Sequence, residues 1–458
     1  MADADVKTDN RSRFQRLNPW WIAAGVCVVV LVLWMLLPWE WSTIDDAGFA
    51  TNVPDKFAEH GIMGGIASQT SGMFQSDIGW GLFRPSYWVF PAFFYWLPIG
   101  VAHSIRLLMV FAAIAGPLVY LRRRGATRPT LIAAAVLLIS GCSALYVGLT
   151  FLSLQELSGA AFVGLGLAFR RSLPRLLIWT IAAWFKAPFA WLLIGYAIPL
   201  WRRGERRMAL LSFSVGLGTL AIAAYMARNG EYTNRFYRST AGLINDALLG
   251  NGPRLFELPT ILIITSFAWW WIVSRSPLRK DAEALGFAVA LIGYSLNLLP
   301  WSTSGYYMGP VLFLLALFLS SLLGEPRAMP SWRLIIALLI PIIVAIKLVS
   351  GAISQGVEAN TAITGTRDCL LRLGEAPQAL MSGSTYYVAT LEGADRLGQI
   401  INLRVPGWGG SVQYIEPGQP IPKPAPDYYV WIGSPAVAPD APSKVICQSG
   451  PATVYRLG

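Results

Sequence analysis

The chain has 458 residues, of which 13% are charged and 55% hydrophobic, whereas a soluble domain usually carries about 25% charged residues. These proportions, with 19 Trp, 21 Phe and 17 Tyr, exclude a disordered chain, a small disulfide-stabilised protein and an ordinary cytosolic enzyme. The net charge is +11, but the basic residues form short clusters between apolar runs, which is the positive-inside pattern of membrane proteins and not a nucleic-acid-binding surface.

The first candidate spanning helix is the apolar run 20–38, because crossing a bilayer takes about 20 mostly apolar residues. The tail before it, 1–19, is basic and is therefore predicted to be cytoplasmic. No small-residue cleavage site follows the run, which favours a membrane anchor over a cleaved signal peptide.

Further apolar runs follow, separated by clusters of arginine. They cover roughly 100–121, 129–148, 152–169, 208–227, 258–274, 283–300, 307–323 and 332–352. The run 174–201 is interrupted by Lys186 and Pro188. All the basic clusters can be cytoplasmic only if 174–201 forms two short helices, and proline favours a break there because it removes a backbone donor. The predicted fold is an α-helical polytopic membrane protein with about eleven transmembrane helices in 20–353 and an outer C-terminus.

Two regions lack the composition of membrane helices. Residues 39–87 are predicted to form a long first outer loop. Residues 354–458 are rich in Gly, Pro and Asp and are predicted to form a small extracytoplasmic α/β domain. Its expected strands combine β-branched and aromatic residues at 384–390, 427–433 and 444–448, with a helix over 391–401.

The outer domain contains two of the four cysteines, Cys369 and Cys447. An oxidising compartment permits a disulfide between them, although two free buried thiols remain the alternative. The chain has only two histidines and no Cys–His metal spacing, so no zinc site is expected.

Adjacent carboxylates, Asp45 and Asp46, follow the first predicted helix. Such a pair can supply a general base and a ligand for a metal or a substrate hydroxyl. It is equally compatible with the solvated start of a helix, where aspartate is favoured. The pair can hold Mg²⁺ or Mn²⁺, but without further obvious ligands it does not establish a metal site, so no cofactor follows from it.

Arginine is expected to be rare in short outer loops, yet the segment 228–258 carries Arg228, Arg235, Arg238 and Arg254. Arg84 stands within an aromatic segment that also contains Asp77, and Arg235 and Arg238 lie between two predicted helices. Guanidinium groups bind phosphate through paired hydrogen bonds, which predicts a lipid-phosphate site. Adsorption to anionic headgroups is the alternative.

Lys186 lies inside an apolar run, where a charge is costly and indicates a functional site by default. From the turn of the broken helix pair, its ammonium could reach a phosphate near the outer face. A lysine that caps a helix end with its charge at the interface is the simpler alternative. Glu156, near the outer end of the run 152–169, is a weaker candidate of the same kind.

These features together resemble the membrane glycosyltransferases of the GT-C superfamily, such as protein O-mannosyltransferases, lipid A aminoarabinose transferases and actinobacterial mannosyl- and arabinosyltransferases. The similar motifs are Asp45–Asp46 after the first helix, Arg84–Pro85 before the next, the Lys186–Pro188 turn, and Tyr306–Tyr307 with Pro310, where the family's arginine is absent.

The resemblance implies an inverting glycosyltransferase (EC 2.4 class) of the bacterial plasma membrane. Its donor would be a polyprenyl-phosphate-linked sugar, and its acceptor an envelope glycan, glycolipid or protein on the outer face. Asp46 would be the general base with Asp45 in support, and basic residues would stabilise the leaving phosphate. The implied phosphate-binding residues are Arg84, Lys186, Arg235 and Arg238, and the implied substrate-binding residues are Asp77, Glu156, Tyr306 and Tyr307.

Other functions predict different sequences. A glycan polymerase or ligase that uses a diphospholipid donor usually carries its large loop late in the chain. A transporter or lipid flippase would place charges along a central path, and the apolar runs here contain few. A non-catalytic scaffold would need no acidic first loop.

Overall fold

The computed structural model describes residues 46–126, 155–230, 282–298 and 308–323, scattered helical positions at 25, 28 and within 128–139, and five strands between 385 and 457. The helices are α1 (Asp46–Trp80), α2 (Pro85–Phe94), α3 (Ile99–Arg123), α4 (Gln155–Ala168), α5 (Ser172–Phe185), α6 (Ala190–Arg202), α7 (Arg206–Asn229), α8 (Ala282–Leu298) and α9 (Met308–Leu323). A 3₁₀ turn, Ala187–Phe189, separates α5 from α6.

Most of the predicted helices that fall in the described residues are confirmed. Helices α3, α4, α7, α8 and α9 match the apolar runs within a few residues, and 174–201 is divided into α5 and α6 as expected. The runs 258–274 and 332–352 lie outside the described residues, and 20–38 and 129–148 lie mostly outside them. The count of about eleven crossings is therefore not tested.

Residues 39–87, predicted to form the first outer loop, contain helix α1 and the start of α2, and their location relative to the membrane stays a prediction. Helix α1 has no marked apolar stripe, and Gly61 bends it with a positive φ of 68°. Its packing comes from single aromatic contacts and not from a periodic face. Phe49 stacks on Tyr95 with ring centroids 5.1 Å apart, and Phe57 stacks on Trp96 at 5.3 Å.

Helices α5 and α6 form a hairpin whose open end lies at Glu283, the second residue of α8. Arg175, in the first turn of α5, places Nη1 3.9 Å from Glu283 Oε2, and Arg203, just after α6, places Nη1 3.3 Å from Oε1. The Tyr120 hydroxyl, near the end of α3, donates to the same carboxylate. Since both hairpin ends meet at one residue, Lys186 lies at the opposite end of the bundle.

The arginines at this end are embedded among aromatic rings. The Arg175 guanidinium is 5.8 Å from the Trp179 ring centroid and 5.4 Å from that of Tyr196. Burial lowers the pKa of the Arg203 guanidinium. Its interactions with Tyr196, Glu283 and Glu205 raise the pKa by more, so the net result is a pKa above the usual value. The Arg203 side chain therefore remains cationic at this end of the bundle.

The basic clusters gather at this same end of the bundle, which we call the Glu283 end. Helix α3 finishes with Arg122 and Arg123, and the Arg123 guanidinium donates to the carbonyl of Ala168 at the end of α4. Helix α7 begins at Arg206. The common location of these clusters is what charge counting predicts for one membrane face.

Two described helices, α3 and α7, are long and apolar enough to cross a bilayer. In α7 only 22% of the most apolar stretch is buried inside the structure. Its side chains Leu210, Leu217 and Tyr225 are 60%, 50% and 72% exposed. So much exposed apolar surface on one helix is unfavourable in water but favourable in contact with lipid.

Close helix contacts depend on glycine at two crossings. A Cβ atom on Gly116 of α3 would lie 1.8 Å from the Gly164 carbonyl oxygen of α4, and one on Gly195 of α6 would lie 2.2 Å from the Gly286 carbonyl oxygen of α8. Small residues let helix backbones approach closely in membranes, where dispersion contacts replace the hydrophobic effect.

We expect Gly116→Ala to destabilise the protein by about 1–3 kcal/mol, because the added methyl group must separate α3 from α4. Gly218→Ala is the matched control, because nothing lies within 4 Å of a Cβ atom there, and alanine should favour the helix slightly. Thermal unfolding in detergent measures both. Equal melting temperatures for the two variants would contradict the close contact.

The C-terminal region contains a mixed five-stranded sheet in the order β2-β1-β3-β5-β4. Strand β1 runs parallel to β2 and β3, and β5 runs antiparallel to β3 and β4. The strands are β1 (Thr385–Val388), β2 (Ser411–Tyr414), β3 (Tyr428–Ile432), β4 (Ser443–Ser449) and β5 (Ala452–Leu457). The sequence predicted β1, β3 and β4 but missed β2 and β5, and the helix expected over 391–401 lies outside the described residues.

Cys447 lies in β4, is 5% exposed and is disulfide-bonded. Cys369 lies outside the described residues, so the Cys369–Cys447 pairing stays a prediction. A peptide map without reduction identifies the partner directly.

Candidate functional site

The turn between α5 and α6 is built by one lysine and one proline. Helix α5 ends at Phe185, and Lys186 adopts an extended conformation with φ −147° and ψ 110°. Pro188, which has no backbone N–H to continue a helix, lies in the 3₁₀ turn that follows. The Phe189 N–H donates to the Lys186 carbonyl at 2.9 Å and closes the turn.

Packing on two neighbouring helices fixes the turn in place. The Phe189 ring is fully buried and meets the Tyr294 ring of α8 edge to face, with centroids 5.1 Å apart. It also covers Gly159 of α4, where a Cβ atom would lie 2.2 Å from the ring. The position of Lys186 is therefore set by α4 and α8 as well as by its own hairpin.

Lys186 forms an ion pair with Glu156, in the first turn of α4. Lys186 Nζ lies 2.5 Å from Glu156 Oε1, and the two side chains are 16% and 5% exposed. A carboxylate in the first turn of a helix also interacts favourably with the helix dipole. The pair gives Lys186 a partner of opposite charge in an apolar region and leaves the lysine side chain partly accessible.

A second ion pair joins Asp77 of α1 to Arg84, the residue before α2. Arg84 Nε donates to Asp77 Oδ2 at 3.0 Å, and Arg84 Nη2 donates to Oδ1. Trp88 Nε1 donates to Oδ2 at 2.8 Å. With an Asp77 side chain only 1% exposed, the carboxylate is a buried acceptor with three donors.

Aromatic packing connects the two ion pairs. The Arg84 guanidinium lies 4.9 Å from the Tyr87 ring centroid, and Tyr87 belongs to a buried cluster with Met73 and Phe185. Phe185, next to Lys186 in the chain, stacks on Phe162 of α4 at 5.5 Å. Both ion pairs therefore lie in one region at the end of the bundle opposite Glu283, which we call the Lys186 end.

Helix α7 also ends in this region, against the turn that follows α1. A Cβ atom on Gly81 would lie 2.6 Å from the Met226 carbonyl oxygen, and one on Gly230 would lie 2.3 Å from the Cα atom of Gly81. Gly81 has a positive φ of 79°, so glycine is favoured there for backbone and packing reasons alike. Arg235 and Arg238 follow α7 in the sequence and lie outside the described residues.

The structure brings together four predicted site residues, Asp77 with Arg84 and Glu156 with Lys186. Asp46 is the first residue of α1, described through its backbone. The predicted residues outside the described part are Asp45, Arg235, Arg238, Tyr306 and Tyr307. No three His, Cys, Asp or Glu side chains gather into a metal site among the residues that the structure describes, and a cation at Asp45 and Asp46 stays a prediction.

Sequence reasoning missed Trp88 as a partner of Asp77. It treated the aromatic residues of this segment as interface anchors, which is their commonest role. Trp88 and Arg84 are one turn apart at the start of α2, a spacing that places both side chains on one face. This spacing was a usable signal, but it required knowing that α2 begins at Pro85.

No protein-family model matches the chain, and no curated protein matches it. Among solved structures, the crystal structure of ArnT from Cupriavidus metallidurans in the apo state is similar over 95% of this chain and 98% of that chain, with 15% identical residues and a TM-score of 0.49. ArnT is a GT-C glycosyltransferase, of the superfamily that the motifs of this chain resemble. An identity and a TM-score at this level carry no substrate, mechanism or residue role from one chain to the other.

Proposed function

We propose that the chain is a glycosyltransferase of the bacterial plasma membrane that moves a sugar from a polyprenyl-phosphate donor to an envelope glycan, glycolipid or protein. The observation that carries this proposal is the Lys186–Glu156 ion pair at the break between two apolar helices, with Nζ and Oε1 2.5 Å apart. The Glu283 end, where the basic clusters gather, would be cytoplasmic, and the Lys186 end would lie at the outer face.

The ion pair suits a lipid phosphate because a phosphate can replace the carboxylate. A buried charge without a partner costs several kcal/mol, so Lys186 needs Glu156 while the site is empty. The lysine side chain is 16% exposed, so an anion arriving from the outer leaflet can reach its ammonium. A lipid phosphate would offer the same charge with more acceptor oxygens than one carboxylate.

The reaction would be an inverting displacement at the anomeric carbon. The base removes a proton from the acceptor hydroxyl, and that oxygen bonds to the anomeric carbon as the carbon–oxygen bond to phosphate breaks. The electron pair of the broken bond remains on the phosphate, where Lys186 and its arginine neighbours would stabilise the developing charge. Asp46, at the start of α1, is the proposed base.

The direct test is to identify the lipids that copurify with the chain and to measure sugar transfer. Lipids extracted from the full chain in mild detergent should contain a polyprenyl-phosphate sugar, identified by mass spectrometry. The chain should then transfer labelled sugar from that donor to an acceptor extract. Turnover with a diphospholipid donor alone would favour a polymerase or ligase, and lipid movement without sugar transfer would favour a flippase.

We expect only the lysine of the ion pair to be needed for donor binding. Lys186→Met should weaken donor binding by about 1.5–3 kcal/mol, because it removes a charge-assisted hydrogen bond. Glu156→Gln keeps the shape, removes the competing carboxylate, and should leave donor binding unchanged or tighter. Donor affinity is measured by titration of the purified chain.

Lys56→Met serves as the matched control, because Lys56 is another partly buried lysine, bonded to Gln69 at 2.9 Å on α1. It should change donor affinity little. Equal losses of affinity for Lys186→Met and Glu156→Gln would mean that the ion pair only supports the fold.

A further inference from the structure

A groove far from the two ion pairs opens between α6, α7 and α8, toward the Glu283 end. Its volume is about 510 Å³, within the usual range of about 300–1,000 Å³ for ligand sites. The lining is almost wholly apolar and includes Ile194, Ile198, Phe213 and Val289. Shape and lining therefore suit a hydrocarbon chain better than a polar ligand.

The rim of the groove is exposed, and it is also apolar. Trp201, Leu210 and Phe213 all line it and are 54%, 60% and 45% exposed. Helix α7, which supplies two of these side chains, is one of the two described helices apolar enough to span a bilayer. The groove therefore faces the space that lipid would occupy around the bundle.

The apolar lining ends at a basic turn. Arg202, the last residue of α6, lines the groove. Gly204, with a positive φ of 80°, reverses the chain so that α7 starts close by, and the Arg206 guanidinium lies 5.6 Å from the Trp201 ring centroid. Two guanidinium groups are thus placed where a lipid headgroup would emerge from the groove.

Positive charge lies at the start of α7, where the helix dipole disfavours it. Arg206 and Arg207 occupy its first turn, which contains no acidic residue and has no side-chain cap. The nearby Glu205 is engaged by Arg203 Nε at 3.2 Å, and Arg203 also contacts Glu283 at 3.3 Å. A bound anion would offset the repulsion between these arginines and the helix dipole.

We propose that this groove binds one acyl chain of an anionic glycerophospholipid, with the lipid phosphate between Arg202 and Arg206. Guanidinium forks match phosphate oxygens in paired hydrogen bonds, and the apolar wall matches the chain. The inference depends on a membrane location for the chain but is independent of the proposed sugar transfer.

Native mass spectrometry of the full chain in detergent tests the site. Phosphatidylglycerol and phosphatidylcholine with identical acyl chains are titrated separately, and the wild type should retain one phosphatidylglycerol in preference to phosphatidylcholine. The double variant Arg202→Ala/Arg206→Ala should weaken phosphatidylglycerol retention about thirtyfold, since each interfacial basic residue contributes about 1 kcal/mol. Arg170→Ala/Arg171→Ala removes two exposed arginines from another turn at the same end and should have no effect.

A variant that fills the groove distinguishes lipid binding in the groove from attraction of anionic lipid by the arginines alone. Ala197→Phe places a ring in the groove, keeps both arginines, and should abolish the single retained lipid. If the alanine double variant fails to fold, Arg202→Lys/Arg206→Lys keeps the charge, loses the paired hydrogen bonds and should bind with intermediate affinity. Equal retention of phosphatidylcholine, normal binding by Ala197→Phe, or displacement by polyprenyl phosphate at lower concentration would each overturn the assignment.

Discussion

Asp46→Asn is expected to lower sugar transfer by about 10²–10⁴-fold while the protein stays folded, because asparagine keeps the shape and removes the basicity. Adjacent side chains diverge, so Asp45 and Asp46 cannot both reach one hydroxyl, and Asp45→Asn should cost less. The structure begins α1 at Asp46, where loss of negative charge should cost only about 0.3–1 kcal/mol of stability. The measurement is transfer of labelled sugar from purified donor lipid, beside thermal unfolding.

Asp55→Asn is the control for this prediction, since Asp55 is an exposed carboxylate on the same helix. It should leave transfer near the wild-type rate. Near-full rates in both Asp45→Asn and Asp46→Asn would remove the base from the proposed mechanism. If Asp45→Asn is the inactive variant, the mechanism stands and the order of the pair is reversed.

The next largest effect is expected at Arg84, whose removal isolates a buried carboxylate. Arg84→Ala leaves Asp77, 1% exposed, with charge but without its cation, and such a loss typically costs about 3–5 kcal/mol. The double variant Asp77→Asn/Arg84→Gln removes both charges and keeps an acceptor for Trp88, so it should recover most of this stability. Thermal unfolding of the single and double variants measures the effect.

The same double variant tests whether Arg84 also serves the donor. If the guanidinium binds the lipid phosphate, the stable double variant should still lose about 1.5–3 kcal/mol of donor affinity. Wild-type affinity in the double variant would restrict Arg84 to shaping the turn before α2. Stability and donor affinity therefore separate a role in folding from a role at the site.

Much of the helical bundle could be predicted because apolar runs and positive charges are local signals. The break at Lys186 followed from Pro188 and from the requirement that every basic cluster share one face. Helix α1 could not be predicted in the same way. Its sequence has no periodic apolar face, and its packing depends on Phe49 and Phe57 meeting the rings of Tyr95 and Trp96, just after α2.

The candidate site was predictable as single residues but not as pairs. Glu156 and Lys186 each drew attention because charge is rare in apolar segments. Their pairing joins residues 30 positions apart and depends on how α4 crosses the α5–α6 hairpin. Glu283 escaped notice because an acidic residue at the start of a helix has an ordinary explanation in the helix dipole.

The contact between Gly81 and Gly230 has a consequence for how the protein is made. Membrane helices enter the bilayer in order as the chain is synthesised, and the turn after α1 therefore emerges long before α7 is complete. The turn packs so closely on the end of α7 that a Cβ atom on Gly230 would lie 2.3 Å from the Cα atom of Gly81, so the turn cannot reach its final packing until α7 has been made. A chain truncated before α7 would carry Asp77 and Arg84 yet lack the helix end that packs against the turn between them.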